Sequence, residues 1–243
     1  MEQHVYELEA EIERSHWWFV VRHRMLAGLI REAGLRSDAA ILDIGSSTGG
    51  TLRHLRESGY TKVIGVDASE AAVRYCAAQG LDIRLAEAGA LPFPAQTFDF
   101  VLACDIIEHV DADVAAALEV ARVLKPGHRA LFTVPAMEIL WGHQDEISQH
   151  KRRYSKQRLR STLNEAGFRI IRLYYFNYLL FLPILLARRI TQLLGLKVEN
   201  ENSVNSPAIN VVLKAIFSLD VAAPRWLRPP FGVSLAAEVQ KPG

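Results

Sequence analysis

Acidic residues stand at the ends of two apolar runs in the first third of the chain. The run AILDIG contains Asp43 and Gly45, and the run KVIGVD ends in Asp67. An acid about twenty residues after a glycine turn can accept hydrogen bonds from both hydroxyls of an adenosine ribose. These residues therefore predict a site for a cofactor that contains adenosine.

The turn between the two runs, SSTGG, leads into the helical pattern TLRHLRESG. Glycines such as Gly45 and Gly49 let a backbone turn sharply and approach a ligand closely. Ser47 stands between them, where a dinucleotide site needs a glycine so that the pyrophosphate can lie against the backbone. A nicotinamide-dependent oxidoreductase is therefore an alternative that the sequence favours less.

Histidines supply the candidates for a catalytic base. His109 lies in the run DIIEHV, just after the fourth apolar run, and histidine titrates near neutral pH. His143 and His150 lie in the loop WGHQDEISQHKRRYS, which also carries Arg152 and Arg153. An arginine can bind a carboxylate or phosphate through two parallel hydrogen bonds. The loop is a candidate for substrate binding, and the alternative is a solvated loop that precedes a helix.

Aromatic and basic residues near the N-terminus are further candidates for contact with a substrate. The segment SHWWFVVRHRML places two tryptophans beside arginines. The alternative is a helix whose tryptophans belong to the core. Together with residues of the later loop and of an apolar segment, the predicted substrate contacts are Trp17, Trp18, Arg22, Trp141, Arg152, Arg153, Tyr154 and Tyr178.

Apolar runs alternate with helical patterns up to residue 134, and these elements must position the candidate side chains. This alternation indicates an α/β fold with a mainly parallel sheet covered by helices on both faces. Ligands of such sheets bind at the carboxyl ends of the strands. The predicted strands are 40–45, 62–67, 81–87, 98–105 and 128–134, and a helix is predicted over 114–124.

The order of elements changes after the fifth strand. Ser155 is predicted to cap a helix that Gly167 stops. The remaining elements are a strand over 168–173, an apolar helical segment over 178–194, a polar linker over 197–206, a helix over 209–219 and a last strand over 233–239.

Composition bounds the partners and the compartment. The 243 residues include 28 basic and 27 acidic side chains, and this balance argues against a nucleic-acid partner, which normally leaves a basic footprint. The two cysteines, Cys76 and Cys104, do not suggest a disulfide framework, so a reducing compartment is favoured. The charged N-terminus lacks the apolar core of a secretory signal. We therefore expect a cytoplasmic protein that acts on a small molecule.

Three passages together resemble class I S-adenosylmethionine (SAM)-dependent methyltransferases. They are ILDIGSSTGG, EAGALPFPAQTFDFV and EVARVLKPGHRALFTVP. The resemblance implies a Rossmann-like sheet of seven strands, mostly parallel, with an antiparallel last strand beside the sixth. It also implies that SAM is the cofactor. The residues that it assigns to cofactor binding are Asp43, Gly45, Ser46, Ser47, Gly49, Asp67, Ala68, Glu87, Ala88, Cys104 and Asp105.

The run from Asp105 to His109 also resembles the acid, acid, histidine cluster of ubiquinone-pathway O-methyltransferases. In that group the cluster holds a divalent metal that lowers the pKa of a catechol-like oxygen. Here Asp105, Glu108 and His109 would be the ligands. The first acid is shorter than the usual glutamate and no fourth ligand is evident, so a metal such as Mg²⁺ is not favoured.

The resemblance also divides the chain. Residues 1–36 are similar to the helical lid that precedes the first strand in a subgroup associated with quinone, lipid or surface-glycan biosynthesis. Residues 37–243 then form the methyltransferase domain, with an apolar helical insertion at about 174–225. Leu173 to Ala187 is shorter than the roughly 20 apolar residues that span a bilayer. The insertion is interpreted as a roof over an apolar pocket, a peripheral membrane contact or a homodimer interface.

The predicted function is methyl transfer from SAM to a small hydrophobic, aromatic or isoprenoid acceptor that carries an acidic group. O-methylation is favoured, and C- and N-methylation stay open because these residues do not separate them. Besides the oxidoreductase, a third hypothesis is a module that binds the adenosyl cofactor without turnover.

Overall fold

The fold was analysed in a computed structural model, which describes residues 3–194, 206–223 and 227–243. A seven-stranded sheet has the order β3-β2-β1-β4-β5-β7-β6. The strands are β1 (Ala40–Ile44), β2 (Lys62–Asp67), β3 (Ile83–Leu85), β4 (Phe98–Cys104), β5 (Leu124–Pro135), β6 (Arg169–Phe176) and β7 (Ser234–Gln240).

Helices cover both faces of this sheet. The helices are α1 (Gln3–Ser15), α2 (Trp17–Glu32), α3 (Gly50–Glu57), α4 (Glu70–Ala78), α5 (Asp113–Val123), α6 (His143–Ile147), α7 (Lys156–Glu165), α8 (Phe181–Leu193) and α9 (Pro207–Ala222). A short 3₁₀ turn over Glu138–Leu140 precedes α6. Ser69 and Ser155 cap α4 and α7 as their sequence positions predict, each accepting a hydrogen bond from a backbone N–H in the first turn.

The central strands position the carboxyl-end residues side by side. β1 pairs in parallel with β2 on one side and with β4 on the other. The residues of β1 after Ala40 are buried on both faces, as the continuous apolar run predicts. Asp43 therefore lies between Gly65 of β2 and Leu102 of β4.

The last strand confirms the predicted topology. β7 is inserted between β5 and β6 and runs antiparallel to both, with Ala236 opposite Thr133 and Tyr174. Six of the seven residues of β7 are buried, and Leu235, Ala236, Ala237 and Val239 are the aliphatic ones that helices cover. The mixed sheet is thus the α/β methyltransferase fold that the resemblance implies.

Several element boundaries differ from the sequence prediction. β3 covers only Ile83–Leu85, and β5 begins at Leu124 because that residue already pairs with Phe98. β6 continues to Phe176, since its last three residues pair with β7, so the helical insertion begins after 176 and not at 174. Tyr178 precedes α8 and is not helical. The predicted linker 197–206 lies outside the described residues except for Ser206.

The N-terminal helices are packed against the domain. Leu26 and Ile30 of α2 are buried in one cluster with Ile41 of β1. α2 also packs along α9, and Phe217 of α9 is fully buried in the same cluster. No membrane-spanning helix is found in the parts of the chain that the structure describes.

Candidate functional site

The turn after β1 has three residues in the left-handed backbone region. Gly45, Ser47 and Gly49 have φ values of 76°, 45° and 75°. A Cβ at Gly45 would lie 1.9 Å from Cδ1 of Ile106, so this position also lacks room for a side chain. Ser47 therefore adopts the conformation for which glycine is usual, although it carries a side chain. The sequence pattern alone did not reveal this strain.

Asp67 connects the first two βα turns. Its carboxylate accepts a hydrogen bond from the backbone N–H of Ser47 at 2.8 Å and another from Ser69 at 2.9 Å. These bonds fix the carboxylate at the carboxyl end of β2. A carboxylate has about four acceptor sites, so further donors such as ribose hydroxyls can still bind.

Two cavities meet at Gly45 along the carboxyl ends of β1, β2 and β4. The first has a volume of about 280 Å³ and the second about 150 Å³. The first is lined by Glu9, Ile12, Glu13, Trp18, Phe19, Arg22, Asp43, Gly45, Ser46, Ser47, Thr51, Cys104 and Asp105. The second is lined by Ile44, Gly45, Asp67, Ala68, Ala86, Glu87, Ala88, Ile106, His109 and Val110.

All of the predicted cofactor residues except Gly49 line one of these cavities. Asp43 and Cys104 lie in the first cavity, and Asp67 and Glu87 lie in the second. Gly49 instead precedes α3 as its N-terminal cap residue. Because Gly45 lines both spaces, they suit a ligand with an amino-acid part on one side of Gly45 and an adenosine part on the other.

Carboxylates dominate the first cavity. Burial raises the pKa of Asp43 to about 7, although Arg22 acts to lower it. One carboxylate oxygen of Asp43 is buried and has no hydrogen-bond partner among the described residues. Arg22 of α2 donates a hydrogen bond to Asp105 at 2.8 Å. A cationic amino group would donate a hydrogen bond to this oxygen of Asp43. Such a bond is favourable because a buried acceptor without a donor costs free energy.

Residues of α1 complete this cavity, and the sequence analysis did not identify them. Glu9, Ile12 and Glu13 face it from one helix. Glu13 accepts a hydrogen bond from the hydroxyl of Thr48, and burial raises the pKa of Glu13. Only the spacing of i, i+3 and i+4 along a helical pattern could have indicated that these residues share a face.

Glu108, His109 and His150 form a second group beside the cavities. Their potential ligand atoms lie within 4.8 Å of one another, and the two imidazole rings meet edge to face at 4.8 Å. Burial lowers the pKa of His109, and His150 adds to the lowering. Burial raises the pKa of Glu108 well above its usual range. Asp105 is not in this group, because its carboxylate faces Arg22.

Asp145 holds His150 in place. Its carboxylate is fully buried and lies 2.8 Å from Nδ1 of His150. The same carboxylate accepts hydrogen bonds from Arg153 at 2.8 Å and from Arg188 of α8 at 3.2 Å. The structure therefore brings together two of the three predicted histidines, and His143 lies apart, exposed and 3.4 Å from Glu146.

The remaining loop residues contact other parts of the protein. Arg152 pairs with Asp113, and the hydroxyl of the fully buried Tyr154 donates to the same carboxylate at 2.8 Å. Arg153 is buried against Asp145. These contacts stabilise the loop, and none of the three side chains is among the residues that line the two described cavities.

The aromatic residues predicted to contact the substrate lie in different parts of the structure. Trp18 lines the first cavity and stacks on Phe217 of α9 with ring centroids 5.1 Å apart. Trp17 contacts the same Phe217 edge to face at 5.5 Å. Neither Trp141 nor Tyr178 is among the residues that line the two described cavities. Of these four aromatic residues, Trp18 is the one placed at the site.

The seven-stranded fold, the glycine-containing turn after β1 and the two cavities lined by Gly45 define a class I SAM-dependent methyltransferase domain. Residues 18–173 match the family model described as "Methyltransferase domain", so the chain belongs to that family. SAM is therefore the methyl donor, and the nicotinamide alternative is set aside.

Individual relatives differ in their acceptors. The chain is 34% identical over 122 residues to the ubiquinone/menaquinone biosynthesis C-methyltransferase UbiE of Desulfotalea psychrophila, a match that covers 46% of this chain and 49% of that protein. It is 27% identical over 128 residues to the tRNA (carboxymethyluridine(34)-5-O)-methyltransferase alkbh8 of Xenopus tropicalis, covering 51% and 19% of the two chains. The chain thus spans about half or less of these relatives.

A solved structure supports the fold over most of the chain. Phosphoethanolamine N-methyltransferase 2 of Haemonchus contortus, in complex with S-adenosyl-L-methionine, aligns with a TM-score of 0.62 at 20% identity. The alignment covers 90% of this chain and 52% of that one. At this identity the likeness concerns the fold, and the acceptor must be argued from the site.

Proposed function

We propose that the protein transfers the methyl group of SAM to an oxygen of a small hydrophobic or aromatic acceptor. The observation that carries this proposal is the aromatic wall of the first cavity, where Trp18 and Phe19 lie beside Arg22 and Asp105. A flat aromatic face binds apolar rings and chains with little loss of side-chain entropy. α2 supplies this wall, so we propose that the segment predicted as a lid, residues 1–36, has that role.

The cavity residues fit the donor. SAM supplies an electrophilic methyl group on a sulfonium centre. Asp43, with its unpartnered oxygen, would accept from the amino group, and Arg22 would bind the carboxylate. Asp67 would accept from the ribose hydroxyls, while Glu87 and its neighbours would surround the adenine. A cavity rich in carboxylates suits a ligand with cationic groups better than it suits a pyrophosphate.

We assign the base to His109, which lines the second cavity, and propose that His150 positions it, since the two rings meet edge to face at 4.8 Å. In a neutral imidazole one nitrogen donates and the other accepts, and a carboxylate on Nδ1 selects the tautomer in which Nε2 accepts. Asp145 stands in that relation to His150 at 2.8 Å. His109 would remove the proton of an attacking hydroxyl and hold it during transfer. Oxygen is the preferred nucleophile because a base of this kind is most useful to a hydroxyl.

The acidic group expected on the acceptor receives no support from the arginines proposed to bind it. Arg152 and Arg153 lie in ion pairs with Asp113 and Asp145. The proposed acceptor is therefore an apolar or aromatic compound with a hydroxyl group, and it can carry an isoprenoid chain. The proposal contains no nucleic-acid partner, since the charged residues are evenly balanced in sign.

The group formed by Glu108, His109 and His150 does not suit Mg²⁺. This ion prefers octahedral oxygen ligands and retains waters, whereas the group offers one carboxylate and two imidazoles. Asp105, the predicted first ligand, is paired with Arg22. No step of the proposed reaction therefore passes through a metal.

The proposal is tested by methyl transfer from radiolabelled SAM to a panel of catechols and prenylated phenols, with matched amines as the comparison. Label in a phenol ether supports O-methylation of an apolar acceptor. Label that appears only in amines, or in purified tRNA, would contradict it.

A further inference from the structure

The helices of the insertion carry an unusual outer surface. On α8, Leu182, Leu186, Ile190 and Leu193 recur at intervals of three or four residues and so lie along one face. Leu186 and Leu193 are 61% and 85% exposed. On α9, Val211, Val212 and Leu219 are likewise more than half exposed. We call these seven residues the outer apolar face.

The charged residues that these two helices expose are basic. α8 contains Arg188 and Arg189 and no acidic residue. The one acid of α9, Asp220, is buried and accepts hydrogen bonds from the backbone N–H groups of Asn177, Tyr178 and Leu179. Arg189 is exposed and Lys214 partly exposed, and neither forms an ion pair with another described residue. The described basic side chains that lie beside the outer apolar face on its own helices are therefore Arg189 and Lys214.

Both helices are connected to the site. α9 carries Phe217, which stacks on Trp18 in the wall of the first cavity. α8 reaches the other side, where Arg188 donates to Asp145, the partner of His150. The opposite sides of α8 and α9 thus contact the residues that form the site, and their outer sides remain exposed.

We propose that the outer apolar face docks onto the surface of a lipid bilayer that contains anionic lipids. A helix that lies in the interface buries aliphatic side chains at the acyl boundary and places basic side chains at the headgroups. Exposed leucines with arginine and lysine beside them match this pattern. A second copy of the chain fits less well, because a two-fold interface would bring the same positive residues together.

This docking is testable without turnover. The purified protein is mixed with vesicles of phosphatidylcholine alone, or of an equimolar mixture with phosphatidylglycerol, and bound protein is measured by flotation. We expect binding to the anionic vesicles that weakens as salt is raised. Leu186→Glu with Val212→Glu removes two of the inserted aliphatic side chains, so binding should fall at least about tenfold.

A matched control separates this surface from general hydrophobicity. Leu118 of α5 is also an exposed aliphatic side chain, at 49%, and Leu118→Glu should leave vesicle binding unchanged. The double variant must keep the thermal unfolding midpoint and the affinity for S-adenosylhomocysteine of the parent protein. Three results would each overturn the docking proposal and leave the methyl-transfer proposal intact. The parent protein binds neither kind of vesicle, the Leu118 control loses as much binding as the double variant, or the parent is a dimer that the double variant converts to a monomer.

Discussion

Arg22 of α2 donates a hydrogen bond to Asp105, at the end of β4, across the cavity that also contains Asp43. The pair joins the N-terminal helices to the sheet at the point where the cofactor's amino-acid part would lie. Asp105 thus holds the guanidinium in place before any ligand binds. Less side-chain entropy is therefore lost when a ligand binds.

Arg22 is expected to be required for tight binding of the cofactor. A hydrogen bond to a charged group contributes about 1.5–3 kcal/mol, so Arg22→Ala should weaken S-adenosylhomocysteine binding by roughly 10- to 100-fold. Arg22→Lys should restore part of the loss, because the charge is kept and the planar geometry is not. Arg24 is exposed on the same helix, and Arg24→Ala is the control. Calorimetry that finds equal affinities for the two alanine variants would refute this role.

Ser47 should tolerate glycine but not a branched side chain. Its left-handed φ of 45° costs a non-glycine residue about 1–2 kcal/mol. Ser47→Gly removes that strain and adds roughly 0.4–1 kcal/mol of unfolded-state entropy, so stability should rise by no more than about 1.6 kcal/mol. Ser47→Val should lower the free energy of unfolding by about 1–3 kcal/mol. Urea unfolding measures both, and a valine variant as stable as the parent would contradict the assigned conformation.

Asp43 should make the free protein less stable as pH rises. Its pKa is raised from 3.8 to about 7 in the folded state, so the folded protein binds more protons than the unfolded chain between these values. The penalty is absent below about pH 4 and complete above about pH 7, where it reaches roughly 4 kcal/mol at most.

Asp43→Asn isolates this contribution. As the pH rises over that interval, the free energy of unfolding of the parent should fall relative to that of the variant. The variant should also bind SAM more weakly. Binding of the cationic amino group should also lower the pKa of Asp43, so binding near pH 7 should release protons. A difference curve that is flat with pH would show that Asp43 is not the group responsible.

His150 should separate catalysis from cofactor binding. Loss of a general base reduces turnover by about 10²- to 10⁴-fold. His150→Ala should show part of that loss with an identified acceptor, because His150 positions His109, and should keep the affinity for S-adenosylhomocysteine, since His150 is not among the residues that line the two described cavities. The rate of the parent should fall once the pH drops below the lowered pKa of His109, because a protonated imidazole accepts no proton.

His143→Ala provides the comparison for that experiment. His143 is exposed and its neighbour Glu146 is exposed as well, so its removal should leave turnover within about twofold. Equal turnover in the two alanine variants would show that His150 does not position the base. A parent protein that binds SAM and transfers no methyl group to any acceptor would favour the hypothesis of a binding module without turnover.

Local chemistry explains which parts of the site could be predicted. Asp43, Gly45 and Asp67 follow directly from the ends of two apolar runs, because strand, turn and helix are encoded by neighbouring residues. The structure places these residues at the two cavities, and their role in cofactor binding stays a prediction. The seven strands and the antiparallel last strand beside the sixth followed from the family resemblance, and β7 agrees with it.

Contacts between distant segments explain the rest. Glu13 reaches the cavity because α1 packs beside the turn at Thr48, 35 residues away. Arg153 and Tyr154 have the residue types of a substrate site. In the fold both are buried, and Arg153 donates to Asp145 while Tyr154 donates to Asp113. Charge and aromaticity in a loop do not reveal which side chains are already satisfied by the protein itself. That information exists only in the folded arrangement.

The most direct test of the cofactor site is a calorimetric titration of the protein with SAM, S-adenosylhomocysteine and NAD, repeated on Asp67→Ala. Asp38 lies exposed before β1 in a pair with Arg36, so Asp38→Ala is the control. We expect both adenosyl ligands to bind the parent and the control, NAD to bind neither, and Asp67→Ala to lose at least about tenfold in affinity. Binding of NAD alone, or adenosyl binding that survives unchanged in Asp67→Ala, would contradict the site described for Asp43, Gly45 and Asp67.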